Sequence, residues 1–220
     1  MAKNEMTKSN TGTAITAAQD TGPIMQGFDQ SDFLIPVAWL FQGTGEESEA
    51  YPNAKRGEIT SRLLGSSVPS RRFILLKAWK SWVRFDKGSA TPAYTYDDEA
   101  DVPAEDLKWG EDGTPPAATE TINTIILFEG LEEVPHIFRF KKTSYNEGKN
   151  LLTIARFVRG KMFEFADNKV GENSEGKKYL IPTCRPTADA IPEAMLAMRS
   201  VFLEAETQGR VKIDDGDAPF

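Results

Sequence analysis

Residues 72–85 read RFILLKAWKSWVRF, and this stretch decides the fold class. Its first half is an apolar run, whereas its second half mixes aromatic and basic side chains. Because side chains alternate between the two faces of a strand, the pattern predicts one long β-strand, half core and half working surface. Two strands joined by a bulge would also fit. The expected faces are Phe73, Leu75, Lys77, Trp79, Val83 and Phe85 on one side, and Ile74, Leu76, Ala78, Lys80, Trp82 and Arg84 on the other.

Other periodic segments surround this strand. Capping-box spacing from Ser144 to Glu147 predicts the start of one helix, and a second helix is expected over 192–208 with a core stripe of Ile191, Met195, Met198 and Phe202. Strands that do not alternate regularly with helices argue against a parallel doubly wound sheet. The predicted class is therefore α+β: mainly antiparallel β, an OB-like barrel with two added helices and disordered termini. Further strands are expected at 33–41, 58–64, 121–129 and 134–142, and as a pair at 161–165 and 177–183.

Three segments differ from this expected domain in composition. Residues 1–30 are polar without periodicity and are expected to form a mobile N-terminal arm. Residues 88–119 are a long acidic insertion rich in Pro and Gly, and a loop of this length is usually functional or disordered. Residues 210–220 form an acidic C-terminal tail, which leaves 31–209 as a single OB-like domain.

Charge is distributed very unevenly along the 220 residues. The formal net charge of −7 taken alone argues against phosphate binding. However, residues 71–87 hold six basic residues and one acidic residue, and residues 139–161 hold seven basic and one acidic. The segment 97–112 holds eight acidic residues and one basic residue. Since the location of basic charge matters more than its sum, nucleic acid stays among the candidate ligands.

Both basic segments interleave cations with aromatic rings. Single strands are bound without sequence preference by a basic groove together with rings on which bases stack, and OB barrels provide both on a sheet face. For any single ring, a place in the core is an equally open interpretation. The candidate stacking residues are Trp79, Trp82, Phe85 and Phe140. The candidate phosphate contacts are Arg71, Arg72, Lys77, Lys80, Arg84, Arg139, Lys141, Lys142, Arg156 and Arg159.

The last seven residues, 214–220 (DDGDAPF), place three carboxylates before a Pro-Phe terminus. An aromatic ring beside a free carboxylate suits a hydrophobic pocket with a basic rim, and the proline reduces the ordering cost of docking. The candidate partner-binding residues are Asp214, Asp215, Asp217, Pro219 and Phe220.

This tip resembles the C-terminal tip of bacterial single-stranded DNA-binding proteins and the acidic, Phe-terminated tails of phage-type single-stranded DNA-binding proteins. Ala218 departs from the large aliphatic residue usual in the bacterial tip. The resemblance implies sequence-independent single-stranded DNA binding in phage DNA replication or recombination, with the tip docking replication or recombination proteins. Residues 31–209 would then be the DNA-binding domain, and the tail could occupy its basic groove until DNA displaces it.

Other function classes receive less support from the sequence. His136 is the single histidine, and the sequence contains no phosphate-binding loop motif. The acidic block 97–101 lies in a Pro- and Ala-rich loop. We therefore expect no enzyme activity, catalytic residue, metal ligand or cofactor. A single cysteine, Cys184, excludes an internal disulfide framework. No apolar segment is long enough to span a bilayer, and the first residues do not have the pattern of a signal peptide. We therefore expect a cytoplasmic location, which is the host cytoplasm if the chain is phage-encoded.

Alternatives remain open at this point. A phage structural or assembly protein would suit a long arm and a long loop, and homo-oligomer formation is open in either case. A metal-dependent DNA-processing enzyme would have to use Asp97 and Asp98 of the acidic loop. An annealing or recombination-mediator protein would share the DNA chemistry.

Overall fold

The computed structural model describes residues 35–85, 92–173 and 176–208. The predicted arm 1–30 and the tail 210–220 lie outside the described residues. The strands are β1 Val37–Leu40, β2 Ile59–Ser61, β3 Ser66–Ser67, β4 Arg72–Phe85, β5 Pro92–Tyr96, β6 Ala118–Phe128, β7 His136–Lys141, β8 Lys161–Phe165, β9 Lys169–Glu172, β10 Lys178–Ile181 and β11 Cys184–Ala190. The helices are α1 Gly45–Ala50, α2 Tyr145–Phe157 and α3 Glu193–Thr207, with short 3-10 helices at Glu99–Asp101 and Lys142–Ser144.

One sheet of nine strands organises the fold. Its order is β11-β8-β4-β6-β7-β1-β2-β3, and β5 pairs with β4 beside this path. The pairings between its strands are antiparallel except for the parallel pair of β1 and β7. The sheet curls into a half-barrel, and β9 and β10 form a separate two-stranded sheet. The α+β class with mainly antiparallel strands is confirmed.

The long strand β4 is the centre of this sheet, with the predicted bounds and a bulge near its middle. Leu75 lies opposite Ile126 of β6, but the next pair is Lys77 with Ile125, so Leu76 is an extra residue in β4. Directly opposed residues of neighbouring strands share a face, and an inserted residue shifts the alternation. The two expected faces are therefore wrong as whole sets. Lys77, Trp79, Val83 and Phe85 share the face of Ile74, while Ala78, Lys80, Trp82 and Arg84 share the face of Phe73.

Each face of the sheet has its own hydrophobic cluster. The first cluster lies between the curled sheet and α2, where Gly148 allows the helix to approach Phe140 and Ile122. Its largest members are Phe73, Phe128, Phe138, Phe140, Leu151, Phe163 and Phe165. The second cluster lies under α3, whose Met195 and Phe202 are buried, as the predicted core stripe requires. Burying a large apolar side chain stabilises the fold by about 1.5–3 kcal/mol, so these clusters dominate the energetics.

Two local predictions were wrong. Strands β8 and β10 do not pair with each other: β8 pairs with β11 and β4, and β10 pairs with β9. Ser144 does not cap α2 toward Glu147, because its hydroxyl bonds the backbone of Lys141 instead, at 2.9 Å. This bond closes the 3-10 turn between β7 and α2.

Candidate nucleic-acid interface

A row of four side chains crosses the sheet beside the α3 cluster. Trp79 of β4 lies opposite Asn123 of β6, which lies opposite Arg139 of β7. Val37 of β1 is level with Ile137 of β7, so two residues further on Trp39 is level with Arg139 on the same face. Arg139 therefore lies between two tryptophans, about 14 Å apart across three strand spacings.

The next row toward the end of β4 is polar. Ser81, Thr121 and Lys141 lie opposite one another on the same face. We call the surface formed by these two rows, with Val83, Phe85 and Thr119 beyond them, the basic face. Ser81, Thr121 and Asn123 are each 1 % exposed and form its polar floor.

Hydrogen bonds connect the floor of the basic face to its cation. The Asn123 amide nitrogen donates to Ser81 Oγ at 2.8 Å, and Arg139 Nε donates to Asn123 Oδ1 at 3.2 Å. Within the described parts of the chain, the Thr121 hydroxyl has no hydrogen-bond partner. A buried hydroxyl left unpaired is costly, and because Thr121 is 1 % exposed, a ligand lying on the sheet would not reach it directly.

Two lysines surround the ring at the far end of the basic face. Lys141 Nζ lies 5.7 Å, and Lys142 Nζ 4.5 Å, from the centre of the Phe85 ring. Burial, followed by repulsion from Lys142 and Arg139, lowers the pKa of Lys141 to about 8. Among the described residues no carboxylate forms an ion pair with Lys141 or Lys142. An anion bound here would relieve this repulsion.

Lys77 closes the basic face at the α3 side. It forms an ion pair with Glu206 near the end of α3, and its ammonium lies 5.9 Å from the Trp79 ring centre. Its charge is already matched, so its contribution to phosphate binding would require Glu206 to move.

Three predicted site residues lie on the opposite face of β4. Lys80 pairs with Glu120, whose side chain also contacts Tyr145 of α2, and Arg84 pairs with Asp106 at 3.3 Å. Trp82 lies between Glu120 and Tyr96 of the neighbouring strands. These side chains join strands and helix on the α2 side of the sheet and do not reach the basic face.

The remaining predicted residues are scattered. Arg71 holds the loop after β8 through Ala166 O at 2.6 Å, and Arg72 pairs with Asp189 at 3.3 Å. Arg156 and Arg159 are exposed around the end of α2. Phe140 is 0 % exposed in the cluster under α2, so no base can stack on its ring and we do not retain it in the interface.

Several residues at this surface were missed from the sequence. Trp39 lies in the expected strand 33–41 but was not among the candidate stacking residues, although alternation along β1 separates it from Ala38 and Leu40. The polar floor residues carry no recognisable motif and are assembled only by strand register. Trp109 lies in the acidic insertion, whose composition did not suggest a stacking residue, and its side chain is 68 % exposed.

Across 35–85, 92–173 and 176–208, no group of three or more His, Cys, Asp or Glu side chains could hold a metal ion. In the same ranges, no helix combines the length and the apolar character needed to cross a bilayer. Asp98 of the acidic block uses its carboxylate to cap the turn at Ala100 N, at 3.0 Å.

The single histidine has a structural environment. His136 is fully buried, with Nε2 2.9 Å from Ser61 Oγ and Nδ1 2.8 Å from Val134 O. Burial lowers its pKa, although the Val134 carbonyl acts in the opposite direction.

When the chain is compared with models of protein families, with curated proteins and with solved structures, no match is found in any of the three.

Proposed function

We propose that this protein binds single-stranded DNA without catalysis and largely without sequence preference, in phage DNA replication or recombination, through the basic face. The observation that carries this proposal is the row in which Arg139 lies between Trp39 and Trp79. Arg139 offers a charge for phosphate and the half-buried Trp79 offers a ring for a base, which is the combination that single strands need. Trp39 borders the row, with its indole nitrogen donating to Glu47 at 2.7 Å and its ring packed against Tyr51.

Charge around this row supports the same ligand. Lys141 and Lys142 follow Arg139 along the chain and lie at the same end of the sheet, around Phe85. Buried repulsion between like charges destabilises the free protein locally, so a phosphodiester placed there would be favoured by more than simple attraction. Each phosphate contact also releases counterions from the strand, which makes the affinity dependent on salt.

We further propose that the half-barrel is an OB-like barrel. Proteins of that architecture bind oligonucleotides on a sheet face bordered by loops. A curled, mainly antiparallel sheet with its polar, cationic surface on one side is consistent with such use. The two-stranded β9–β10 sheet and α3 would be additions to it.

The acidic tip is proposed to recruit other proteins of replication or recombination. Asp214, Asp215, Asp217, Pro219 and Phe220 lie outside the described residues, so this part of the proposal derives from their sequence pattern. A 214–220 peptide should bind the recruited protein, and removing Phe220 from the peptide should abolish that binding. Removing Phe220 from the whole chain should leave its single-stranded DNA binding intact.

The test of DNA binding compares two tryptophans of one strand. Trp79 and Trp82 are both half-buried and lie three residues apart in β4, on opposite faces. Anisotropy of a labelled dT oligonucleotide should show that Trp79→Ala weakens binding by about 5- to 150-fold, the value of one stacked base. Trp82→Ala, the matched control, should bind within about twofold of the parent protein.

Other outcomes would redirect the assignment. If neither the full chain nor a chain lacking 211–220 binds the oligonucleotide at low salt, the proposal is overturned. Large assemblies formed without DNA would then favour the structural or assembly protein. Metal-dependent cleavage of the oligonucleotide, lost on changing Asp97, would favour a DNA-processing enzyme instead.

A further inference from the structure

A cavity of about 900 Å³ opens where β4 ends. Its walls include Phe85 and Thr119 of the basic face, together with Lys142 and the exposed ring of Trp109. The segment 114–117 completes one side. Sites for small organic molecules have volumes of roughly 300–1,000 Å³ and combine apolar walls with a few polar groups, which fits this cavity.

The loop that carries Trp109 is folded against the sheet. Asp106 is largely buried and pairs with Arg84 at 3.3 Å, while its backbone carbonyl accepts a hydrogen bond from Ala118 N at 2.9 Å. On the other side of Trp109, Gly110 N donates to Thr114 O at 2.8 Å. An indole that is 68 % exposed is thus held between two anchored points, which reduces the entropy cost of using it as a binding platform.

Lys142 faces the same cavity from an unusual backbone conformation. Its φ of 50° is the only positive value among the described non-glycine residues. Side chains with a Cβ pay for the left-handed conformation, and such strain concentrates at binding sites. Its ammonium lies over Phe85, so one side of that ring is already occupied by a cation and Trp109 is the ring left for a base.

We propose that this cavity captures one nucleotide of the bound single strand, with its base stacked on Trp109 and its phosphate at Lys142. The inference rests on the proposed function, since Phe85 and Thr119 make the cavity continuous with the basic face. It adds a residue, Trp109, and a defined position in the strand at which one base is held individually while its neighbours cross the sheet.

The experiment couples one side chain to one base. A labelled dT oligonucleotide is prepared as a series, each member with one abasic position, and its affinity for the full-length chain is measured by anisotropy. For the parent protein, an abasic site at the position held by Trp109 should weaken binding by about 5- to 150-fold, as loss of a stacked base does, separately from the position that stacks on Trp79. Trp109→Ala should weaken binding of the intact oligonucleotide by a similar factor and make that abasic position silent, whereas Trp109→Phe should keep most of the effect.

Charge at the cavity is tested separately. Lys142→Ala should reduce the slope of log affinity against log salt by about 0.7, the value for one phosphate of a single strand. Lys178→Ala removes an exposed lysine on the β9–β10 sheet and should leave the slope unchanged. Free dTMP should bind weakly, and equally weakly, to Trp109→Ala and to the parent protein. The reason is that most of the affinity comes from the rest of the bound strand.

The failures are distinguishable. If the parent binds no oligonucleotide, the proposed function and this inference fall together. If the parent binds and Trp109→Ala binds equally well with an unchanged abasic profile, only the inference is overturned. Tight dTMP binding that depends on Trp109 would overturn the inference in favour of a free-nucleotide site. An unchanged salt slope in Lys142→Ala would show that Lys142 does not contact a phosphate.

Discussion

Asn123 Oδ1 accepts the Nε hydrogen of Arg139 at 3.2 Å, within the row that crosses the sheet. The bond fixes the angle at which the guanidinium leaves β7, and Asn123 is itself held by donating to Ser81 at 2.8 Å. Asn123 is fully buried, so a strand bound at the surface would not touch it directly. Its proposed role is to position Arg139.

Replacing Asn123 with Ala should weaken single-stranded DNA binding by about tenfold or more, because a hydrogen bond to a charged group contributes about 1.5–3 kcal/mol. The measurement is anisotropy with a labelled dT oligonucleotide. In an Arg139→Ala background the same change should have almost no further effect on affinity, since residues that act through one another are not additive. Equal losses in both backgrounds would show that Asn123 acts only on stability, which urea unfolding of each variant reports.

DNA affinity should fall as pH rises through 8, because Lys141 has a pKa lowered to about 8 by burial and by its cationic neighbours. A phosphate beside it favours the ammonium, so binding above this pH requires uptake of a proton. If binding restores an ordinary lysine pKa, affinity should drop by about tenfold between pH 7 and pH 9. Lys141→Arg should bind with little pH dependence in this range, and Lys80→Arg, on the opposite face, should retain the drop.

The same titration affects stability with a definite sign. The folded pKa of Lys141 lies below the unfolded value of 10.5, so the unfolded chain binds more protons between these values. The contribution of this group to the free energy of unfolding should therefore increase as pH rises from 8 toward 10.5, and Lys141→Met should remove that increase. Urea unfolding of both proteins across this range measures it, and a parallel pH profile for the two would contradict the assignment.

Gly148→Ala should destabilise the protein although the position lies inside a helix. Alanine in place of a helical glycine usually stabilises by up to about 1 kcal/mol. Here the new methyl group would lie 2.7 Å from Phe140 Cβ and 3.2 Å from Ile122 Cδ1, and a Cβ cannot rotate away. Overpacking of this kind costs about 1–3 kcal/mol, so a lower urea midpoint is expected. Gly45→Ala in α1, where the added methyl meets nothing within 4 Å, is the matched control and should be neutral or mildly stabilising.

Deleting residues 211–220 should tighten DNA binding if the acidic tail competes for the basic face. The segment carries three aspartates, and screening by salt weakens their attraction to Arg139 and the lysines. The gain in affinity should therefore be largest at low salt and disappear as salt rises. A charge-neutral tail in which Asp214, Asp215 and Asp217 become Asn should reproduce the gain, and an unchanged affinity in both variants would exclude the competition.

The sequence predicted elements with strong, uninterrupted periodicity. The bounds of β4 and the buried stripe of α3 were confirmed because apolar spacing of this length is hard to satisfy in another conformation. Short or irregular strands were missed: β11 reads CRPTADA, with no apolar alternation, and forms because β8 offers it a free edge. Pairing partners are decided by such tertiary competition, which explains the wrong pairing of β8 with β10.

The candidate site was predictable in composition and unpredictable in arrangement. Phe140 follows Arg139 in a basic segment, yet alternation along β7 turns its ring into the core while Arg139 reaches the other face. Lys80 and Trp82 met the same compositional criteria as Trp79. Alternation already places them on the opposite face, and only the tertiary structure shows that α2 packs on that face. Trp39 joins the row through the parallel pairing of β1 with β7, a contact between segments about 100 residues apart that local periodicity does not contain.

The extra residue in β4 determines which positions of the strand, counted along the sequence, reach each side of the sheet. Upstream of Leu76 and downstream of it, odd-numbered positions face opposite sides of the sheet. Loss of Leu76 would remove the bulge and place Lys77 directly after Leu75 in regular alternation, so Trp79 and Val83 would keep their partners in β6 and their face. A one-codon deletion at this position would therefore leave both surfaces of the molecule as they are, whereas a one-residue shift in the pairing of β4 with β6 would exchange them.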